Sequence, residues 1–323
     1  MRRILVLIDH FDGQPRPVSL QALSAARRLE GEIAALWCGP GAADAAPTIA
    51  AHGASEIFHF DADTADALRA QVDILEAAVA EFSADTVLFG GEPDVVARFA
   101  VRADAGVVTD VVGFGDENGQ ISAFKDVLGG AWVTTSQIAE GRLGCFGVAA
   151  NAFEALIDPA AVSGAVVMLR ELDVALTDVD SSVSVPTRAD GGDDGGRETL
   201  AEASVVVAGG RGVGSAESFG QLHTLAGLLG GAVGATRIAV EEGWAAHADV
   251  IGQNGHTVTP ELYLAVGVSG APEHVSGMRT AKRVVAINKD PHAPIFDQAD
   301  FGIVGDAQVV VPRLIERLTQ AQQ

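Results

Sequence analysis

Residues 204–214 have the sequence SVVVAGGRGVG, and an amphipathic segment follows from about Ser215 to Leu229. The valine run predicts a buried strand, the glycines a turn and the amphipathic segment a helix. In this context backbone amides and the helix dipole can hold a phosphate. The spacing departs from GxGxxG, because Ser215 stands where the last glycine would be. An anion site and a plain tight turn both stay open, and the cation Arg211 inside the turn favours the anion site.

Polar or glycine-rich turns also follow the other predicted strands of this half of the chain. In an open α/β sheet, ligands bind beyond the carboxyl ends of the strands, so turns at those ends should converge on one site. The turns are Ala235–Arg237, Gly252–Gly255, Ser269–His274, Asn288–Asp290 and Gly305–Asp306. Ser269 and Gly270, with Pro272 in the first turn of a predicted helix, form either an anion-binding helix start or an ordinary one.

The first half of the chain alternates short apolar runs with longer amphipathic ones. This alternation predicts a parallel sheet with right-handed helical crossovers. The predicted strands are Ile4–Ile8, Ile33–Trp37, Glu56–Phe60 and Thr86–Phe89, and the predicted helices are Val18–Glu30, Asp44–His52, Ala65–Phe82 and Asp94–Asp104. From about Val107 to Leu172, strand-like runs with turn signals predict antiparallel or mixed strands and little helix.

The fold class that follows is α/β, with two domains that each contain a mostly parallel sheet flanked by helices. Residues 190–196 have the sequence DGGDDGG, which offers neither apolar periodicity nor side chains for a core and therefore predicts a linker. We expect an N-terminal α/β domain of nucleotide-hydrolase-like type at 1–180, the linker at 181–200 and a C-terminal domain at 201–323.

The composition excludes some classes of function. The chain has 43 acidic and 21 basic residues, a formal charge of −22, so its surface would repel nucleic acid. This acidity, with Lys125, Lys282 and Lys289 as the only lysines, predicts a halophilic protein whose self-repulsion is screened by salt. The two cysteines and eight histidines lack metal-binding spacing, which predicts a reduced, cytoplasmic protein without a metal site.

The second half of the chain resembles the α subunit of electron-transfer flavoproteins. The resemblance covers most of Ser204 to Pro312. It rests on Gly209–Gly212, Gly234–Arg237, Gly252–Gly255, Pro260–Tyr263, Ser269–His274, Ala286–Pro291 and Ala293–Phe296, in that order. The N-terminal half resembles the family more loosely, through its strand order and through Arg98–Ala100 and Val108–Asp110.

The resemblance implies a Rossmann-like C-terminal domain that binds FAD. The implied FAD-binding residues are Arg211, Thr236, Arg237, Ile251, Gly252, Gln253, Asn254, Ser269, Gly270, Ala271, Pro272, Glu273, His274, Asn288, Asp306 and Ala307. Within this set, the resemblance places Arg237 against the isoalloxazine ring and His274 at the flavin O2 side. Asn254 replaces a threonine that is usual near flavin N5. Glu273 replaces a glutamine, and its carboxylate should point away from an anionic flavin.

The resemblance also implies an electron carrier without substrate turnover of its own. Such a carrier forms a heterodimer with a β subunit, accepts electrons from dehydrogenases and passes them to a membrane quinone oxidoreductase. Whether the complex bifurcates electrons, and whether the β subunit holds a second FAD or an AMP, stays open. The residues alone leave two alternatives, an NAD-dependent Rossmann-type oxidoreductase, which the broken GxGxxG disfavours, and a nucleotide-sensing module in the first domain.

Overall fold

The structure is a computed structural model that describes residues 1–61, 68–91, 93–117, 119–128, 132–158, 167–176 and 200–321. The chain divides into two compact units, one formed by Met1–Asp126 and Val133–Ala189, the other by Val127–Trp132 and Asp190–Gln323. The linker predicted at 181–200 lies outside the described residues, except for its last residue. The two-domain α/β prediction is confirmed, since each unit has one large sheet flanked by helices.

The first unit follows the predicted alternation closely. Its elements are β1 (Arg2–Ile8), β2 (His10–Phe11), β3 (Gln14–Pro15), α1 (Pro17–Arg27), β4 (Gly31–Cys38), α2 (Ala42–Ala51), β5 (Glu56–Phe60), α3 (Leu68–Phe82), β6 (Thr86–Phe89), α4 (Pro93–Ala103), β7 (Gly106–Glu117), β8 (Gln120–Val127), β9 (Trp132–Gln137), β10 (Gly144–Val148) and β11 (Met168–Glu171). Residues 65–67 of the predicted third helix lie outside the described residues. The small β2–β3 hairpin is not predicted from the sequence.

The sheet of the first unit has the strand order β11-β5-β4-β1-β6-β10-β7-β8-β9. The pairs from β11 to β7 are parallel. The β7–β8 pair is antiparallel, which confirms the mixed strands predicted after Val107. In β1, Ile4 and Val6 pack into the core on one face of the sheet, and Leu5 and Leu7 into the core on the other. Because both faces are covered, the strand is an unbroken apolar run.

The second unit is a smaller parallel sheet with helices. Its elements are β12 (Val205–Gly209), α5 (Ala216–Leu229), β13 (Ala232–Ala235), α6 (Arg237–Glu241), β14 (Leu262–Val266), α7 (Pro272–Val275), β15 (Val284–Asn288), β16 (Phe301–Val304) and α8 (Ala307–Ala321). Short 3-10 turns cover Arg211–Val213, His247–Asp249 and Pro294–Gln298. The strand order is β13-β12-β14-β15-β16, and every pair is parallel. This order is one of the two common doubly wound arrangements.

Helix α5 begins where the glycine pattern is broken. Ser215 is the N-cap, and its Oγ accepts a hydrogen bond of 3.1 Å from the amide of Ser218. A serine at this position satisfies one of the free amides of the first turn, which a glycine could not do. At the other end, Gly230 adopts φ 67° and closes the helix in the left-handed conformation.

The register of the second sheet brings several strand ends to one edge. Gly209 at the end of β12 lies opposite both Ala235 and Val266, and Val266 lies opposite Ile287. From β12 the chain first winds to β13 on one side and later to β14 on the other. A crevice therefore opens at the carboxyl ends of β12 and β14, at the point where the winding direction reverses.

Two findings bear on the cellular setting. Cys38 and Cys145 are both buried and form no disulfide among the described residues, and burial raises the pKa of the Cys145 thiol to about 12. None of the helices formed by the described residues is long and apolar enough to span a bilayer. The cytoplasmic and halophilic assignments stay predictions.

Candidate functional site

A cavity of about 530 Å³ lies at the carboxyl edge of the second sheet. It is lined by all of the predicted site residues except Gly270, Pro272, Asp306 and Ala307. The lining residues from the predicted set are Arg211, Thr236, Arg237, Ile251, Gly252, Gln253, Asn254, Ser269, Ala271, Glu273, His274 and Asn288. The turns after four neighbouring strands thus converge on one place, which is the arrangement expected at a topological switch point.

The four remaining predicted residues lie outside the lining. Gly270 has φ 84°, and a Cβ there would come within 2.3 Å of the amide nitrogen of Ile295, so this glycine allows two loops to touch. Pro272 starts α7. Asp306 accepts a 2.9 Å hydrogen bond from the amide of Gln308 at the start of α8, where Ala307 is buried. That these four residues contact FAD stays a prediction.

The glycine turn after β12 uses most of its amides within the protein. The amide of Gly210 donates to the Val266 carbonyl at 2.9 Å, and that of Gly212 donates to the Gly267 carbonyl at the same distance. The amide of Gly214 donates to the carbonyl of Arg211 at 3.1 Å. The first two amides hold the turn against the end of β14 and the residue after it, the third closes the turn on itself, and none of the three is aimed at a ligand. The tight-turn interpretation therefore describes these glycines.

The same turn leaves its cation available at the cavity wall. Arg211 is exposed and, like Lys289 on the opposite loop, makes no ion pair with any described residue. The other two lysines are paired, Lys125 with Asp110 and Lys282 with Glu261. In a chain with so many carboxylates, two unpaired cations facing one cavity favour an anionic ligand.

Arg237 also lines the cavity, but it is engaged at the surface. Its Nε lies 3.5 Å from Oε1 of Glu241 one helical turn later, and both side chains are more than half exposed. An exposed pair of this kind contributes little to stability. The guanidinium can therefore be redirected toward a ligand at small cost, and its contact with the flavin ring stays a prediction.

His274 is the most deeply buried polar group in the cavity wall. Its side chain is 6% exposed, and Nε2 lies 2.8 Å from the hydroxyl oxygen of Tyr263. Its Nδ1 is buried without a hydrogen-bond partner in the described part of the chain. Burial lowers the pKa of His274 to about 4, against a weaker opposing effect of the Ile251 backbone. The imidazole is therefore neutral near pH 7, with one nitrogen that lacks a partner.

The other polar side chains of the site differ in which of their hydrogen-bond donors and acceptors are still unused. Thr236 caps α6 by accepting from the amide of Ala239 at 3.4 Å, so its hydroxyl hydrogen can still be donated. Asn288 uses both ends of its side chain, donating to the Val268 carbonyl at 2.8 Å and accepting from the Asp290 amide at 3.0 Å. Glu273 is exposed and also lines the cavity, and the expectation that its carboxylate points away from the flavin stays a prediction.

Several lining residues are absent from the sequence-based set. They are Gly210, Gly212, Ile238, Val250, Gly267, Lys289, Asp290, Ala293 and Pro294. Lys289 and Asp290 belong to a turn that the sequence already marks at a strand end. Ala293 and Pro294 carry no such signal, because only the folding of the loop after β15 brings them to the cavity.

Comparison with known proteins decides the family. Residues 4–175 match the electron transfer flavoprotein domain, and residues 199–279 match the electron transfer flavoprotein FAD-binding domain. The electron transfer flavoprotein subunit alpha of Mycobacterium leprae is 40% identical over 324 residues, which cover 98% of each chain. The chain belongs to the electron-transfer flavoprotein α-subunit family. The resemblance inferred from the sequence is confirmed.

More distant relatives align over almost the same length. The electron transfer flavoprotein subunit alpha of Bacillus subtilis is 33% identical and covers 99% of this chain and 98% of its own. Protein FixB of Clostridium saccharobutylicum is 34% identical, with 97% and 95% covered. Membership of this family, with its FAD-binding domain, means that the chain binds FAD.

The cavity fits this cofactor on its own geometry. FAD has an anionic pyrophosphate, which the unpaired Arg211 and Lys289 suit, and a flavin ring with carbonyl oxygens that can accept a hydrogen bond. His274 Nδ1 is a buried polar atom that needs such a partner. The FAD contacts of the individual residues stay predictions.

The burial of His274 predicts how stability depends on pH. Its folded pKa of about 4 lies below the ordinary value of 6.5, so between these pH values the unfolded chain binds a proton that the folded chain does not. Stability should therefore fall as the pH drops from 6.5 to 4, by up to roughly 3 kcal/mol from this residue. Urea unfolding from pH 4 to 7 should show a flatter profile for His274→Gln, and parallel profiles would contradict the prediction.

Proposed function

We propose that this chain is the FAD-carrying subunit of a heterodimeric electron carrier. It pairs with a β subunit, accepts electrons from dehydrogenases and delivers them to a membrane quinone oxidoreductase. In this proposal the protein has no substrate of its own and carries electrons between other enzymes. Family membership supports the electron-transfer role and implies the β partner, and the cavity of the second unit supports the location of the cofactor.

The proposal rests mainly on one observation: cationic side chains and a neutral imidazole converge on the cavity at the carboxyl edge of the second sheet. Arg211 and Lys289, two cations that form no ion pair with a described residue, come from the loops after β12 and β15. His274 Nδ1, which has no hydrogen-bond partner in the described part of the chain, comes from α7, after β14. Cations suit a pyrophosphate, and a neutral imidazole suits a ring carbonyl. A dinucleotide with a carbonyl-bearing ring presents both groups.

Each residue has a distinct part in this proposal. FAD supplies the redox chemistry, because its isoalloxazine ring takes up and releases electrons. Arg211 and Lys289 hold the pyrophosphate. The hydroxyl of Thr236 accepts a hydrogen bond from its own helix and donates its hydrogen to the FAD. Arg237 turns from Glu241 toward the ring, where a permanent cation favours added negative charge. His274 orients the ring through a carbonyl oxygen and excludes water from that side.

An absorption spectrum tests the cofactor against the main alternative. We expect the purified full-length protein to be yellow, with flavin bands that bleach on reduction and return in air. The flavin should be released by denaturation as FAD, because the family match is to an FAD-binding domain. A colourless protein that binds NADH and fails to take up added FAD would favour the NAD-dependent oxidoreductase.

Exposed apolar groups support a partner subunit and give a second test. Phe301 and Val304 lie on the edge strand β16 and Val309 lies in α8, and each is at least half exposed, so we infer that the β subunit covers this part of the second unit. We expect the chain produced alone to self-associate, and coproduction with a β subunit to yield a soluble one-to-one complex. Analytical ultracentrifugation distinguishes the two. A flavin-loaded, monodisperse monomer without the β subunit would contradict this expectation.

A further inference from the structure

Tyr263 is the only tyrosine in the chain, and it lies fully buried near the start of β14. Its ring packs in an apolar core with residues such as Val206 and Met278. A phenylalanine would fill the same space without the cost of burying a hydroxyl. The hydroxyl has one hydrogen-bond partner among the described residues, His274 Nε2 at 2.8 Å. The role of this hydroxyl therefore lies in its hydrogen bond to His274.

The hydrogen bond between the Tyr263 hydroxyl and His274 Nε2 contains one hydrogen atom, which either group can supply. Burial raises the pKa of Tyr263 and lowers that of His274 to about 4, so both groups are neutral near pH 7. In one arrangement the hydroxyl donates to Nε2, and the imidazole hydrogen sits on Nδ1. In the other, Nε2 carries the hydrogen and donates to the hydroxyl oxygen.

The second arrangement leaves more unsatisfied groups in the core. The hydroxyl hydrogen of Tyr263 would then have no acceptor, and Nδ1 of His274 would be a bare lone pair without a donor. The first arrangement leaves only the Nδ1 hydrogen unpaired, on a residue that lines the cavity. Because each unsatisfied buried group is costly, the first arrangement is favoured.

We propose that Tyr263 is a positioning residue that fixes His274 in the tautomer with its hydrogen on Nδ1. The cavity wall then presents a ready hydrogen-bond donor to a carbonyl oxygen of the flavin ring. This inference rests on the proposed function, in which the ring lies against His274. A donor fixed in advance spares the protein the reorientation that FAD binding would otherwise require.

Tyr263→Phe tests the inference, because it removes the hydroxyl and keeps the buried ring. In the full-length protein with ¹⁵N-labelled histidine, NMR should show one neutral tautomer of His274, with Nδ1 protonated, before and after FAD addition. In Tyr263→Phe we expect a mixture of tautomers in the FAD-free protein. FAD affinity should fall about tenfold, because part of the population must change tautomer and Nε2 loses its donor.

Two further variants separate the outcomes. His274→Gln assigns the NMR signals and tests whether the ring lies at this residue. Ser122→Ala removes a fully buried hydroxyl, hydrogen-bonded to Gln137 in the first unit, and should leave FAD affinity unchanged. If Tyr263→Phe keeps the Nδ1 tautomer or full FAD affinity while His274→Gln weakens FAD, the inference is wrong and the proposed function stands. If His274→Gln changes neither FAD affinity nor the flavin spectrum, the flavin ring does not lie against His274, and both the inference and this part of the proposed function are wrong.

Discussion

Replacing Arg211 and Lys289 together by glutamine is expected to weaken FAD binding about 100-fold at low salt, roughly tenfold for each lost contact with a charged group. Both cations line the cavity and neither has an ion-pair partner among the described residues. The pyrophosphate of FAD carries about two negative charges, so each cation is expected to contribute a charge-assisted hydrogen bond. Fluorescence titration of the FAD-free protein measures the effect.

The control for this variant has the same change of charge at a distance from the cavity. Lys282→Gln with Arg317→Gln alters one lysine and one arginine of the second unit that do not line it. We expect the control to bind FAD almost as tightly as the wild type. The difference between the variants should shrink in 1 M salt, because screening then acts over about 3 Å. Equal FAD affinity in both double variants would place the pyrophosphate elsewhere.

Gly267→Ala is expected to disrupt the site through the backbone. Gly267 has φ 63°, in the left-handed region, and a Cβ there would lie 2.5 Å from the carbonyl carbon of Gly212 and the amide nitrogen of Val213. The two loops can separate only by breaking the hydrogen bond from the Gly212 amide to the Gly267 carbonyl. Strain and overpacking together should lower the free energy of unfolding by about 3–4 kcal/mol. FAD should be lost as the loops part.

Gly230→Ala isolates the packing part of this effect. Gly230 closes α5 at φ 67°, close to the angle of Gly267, but a Cβ there would meet nothing within 4 Å. This variant should lose only the roughly 1 kcal/mol that a left-handed alanine costs, and should keep its FAD. Urea unfolding and flavin content per chain measure both effects. Equal losses of stability would mean that the contact between the two loops is unimportant.

Local signals predict the elements of this fold closely. The strand predicted at the valine run of residues 204–214 is β12 at Val205–Gly209, and the helix predicted from Ser215 is α5, with Ser215 as its cap. These elements depend on neighbours within one turn or one strand, which the sequence displays directly. The β2–β3 hairpin has strands of two residues, too short for a periodic pattern, and one of them contains Pro15, which argues against a strand.

Site residues are predicted where they sit at strand ends and are missed where distant loops supply them. Thr236 and Ser269 follow strands and line the cavity, as the turn positions indicate. Ala293 and Pro294 enter the cavity wall only because the loop after β15 folds back. Asn288 lies at a strand end as predicted, but its side chain already binds two backbone groups, which no sequence pattern reveals.

The sequence by itself determines the α/β class, the two domains and the family whose cofactor is FAD. Only the tertiary structure decides which groups are free to bind the cofactor. The Gly210 amide is used by the Val266 carbonyl. Among the described residues Lys282 has an ion-pair partner whereas Lys289 has none, and Tyr263 occupies Nε2 of His274 while Nδ1 has no partner. The reason is physical. A residue's type sets what it can donate or accept, whereas its partners depend on distances between segments far apart in the chain.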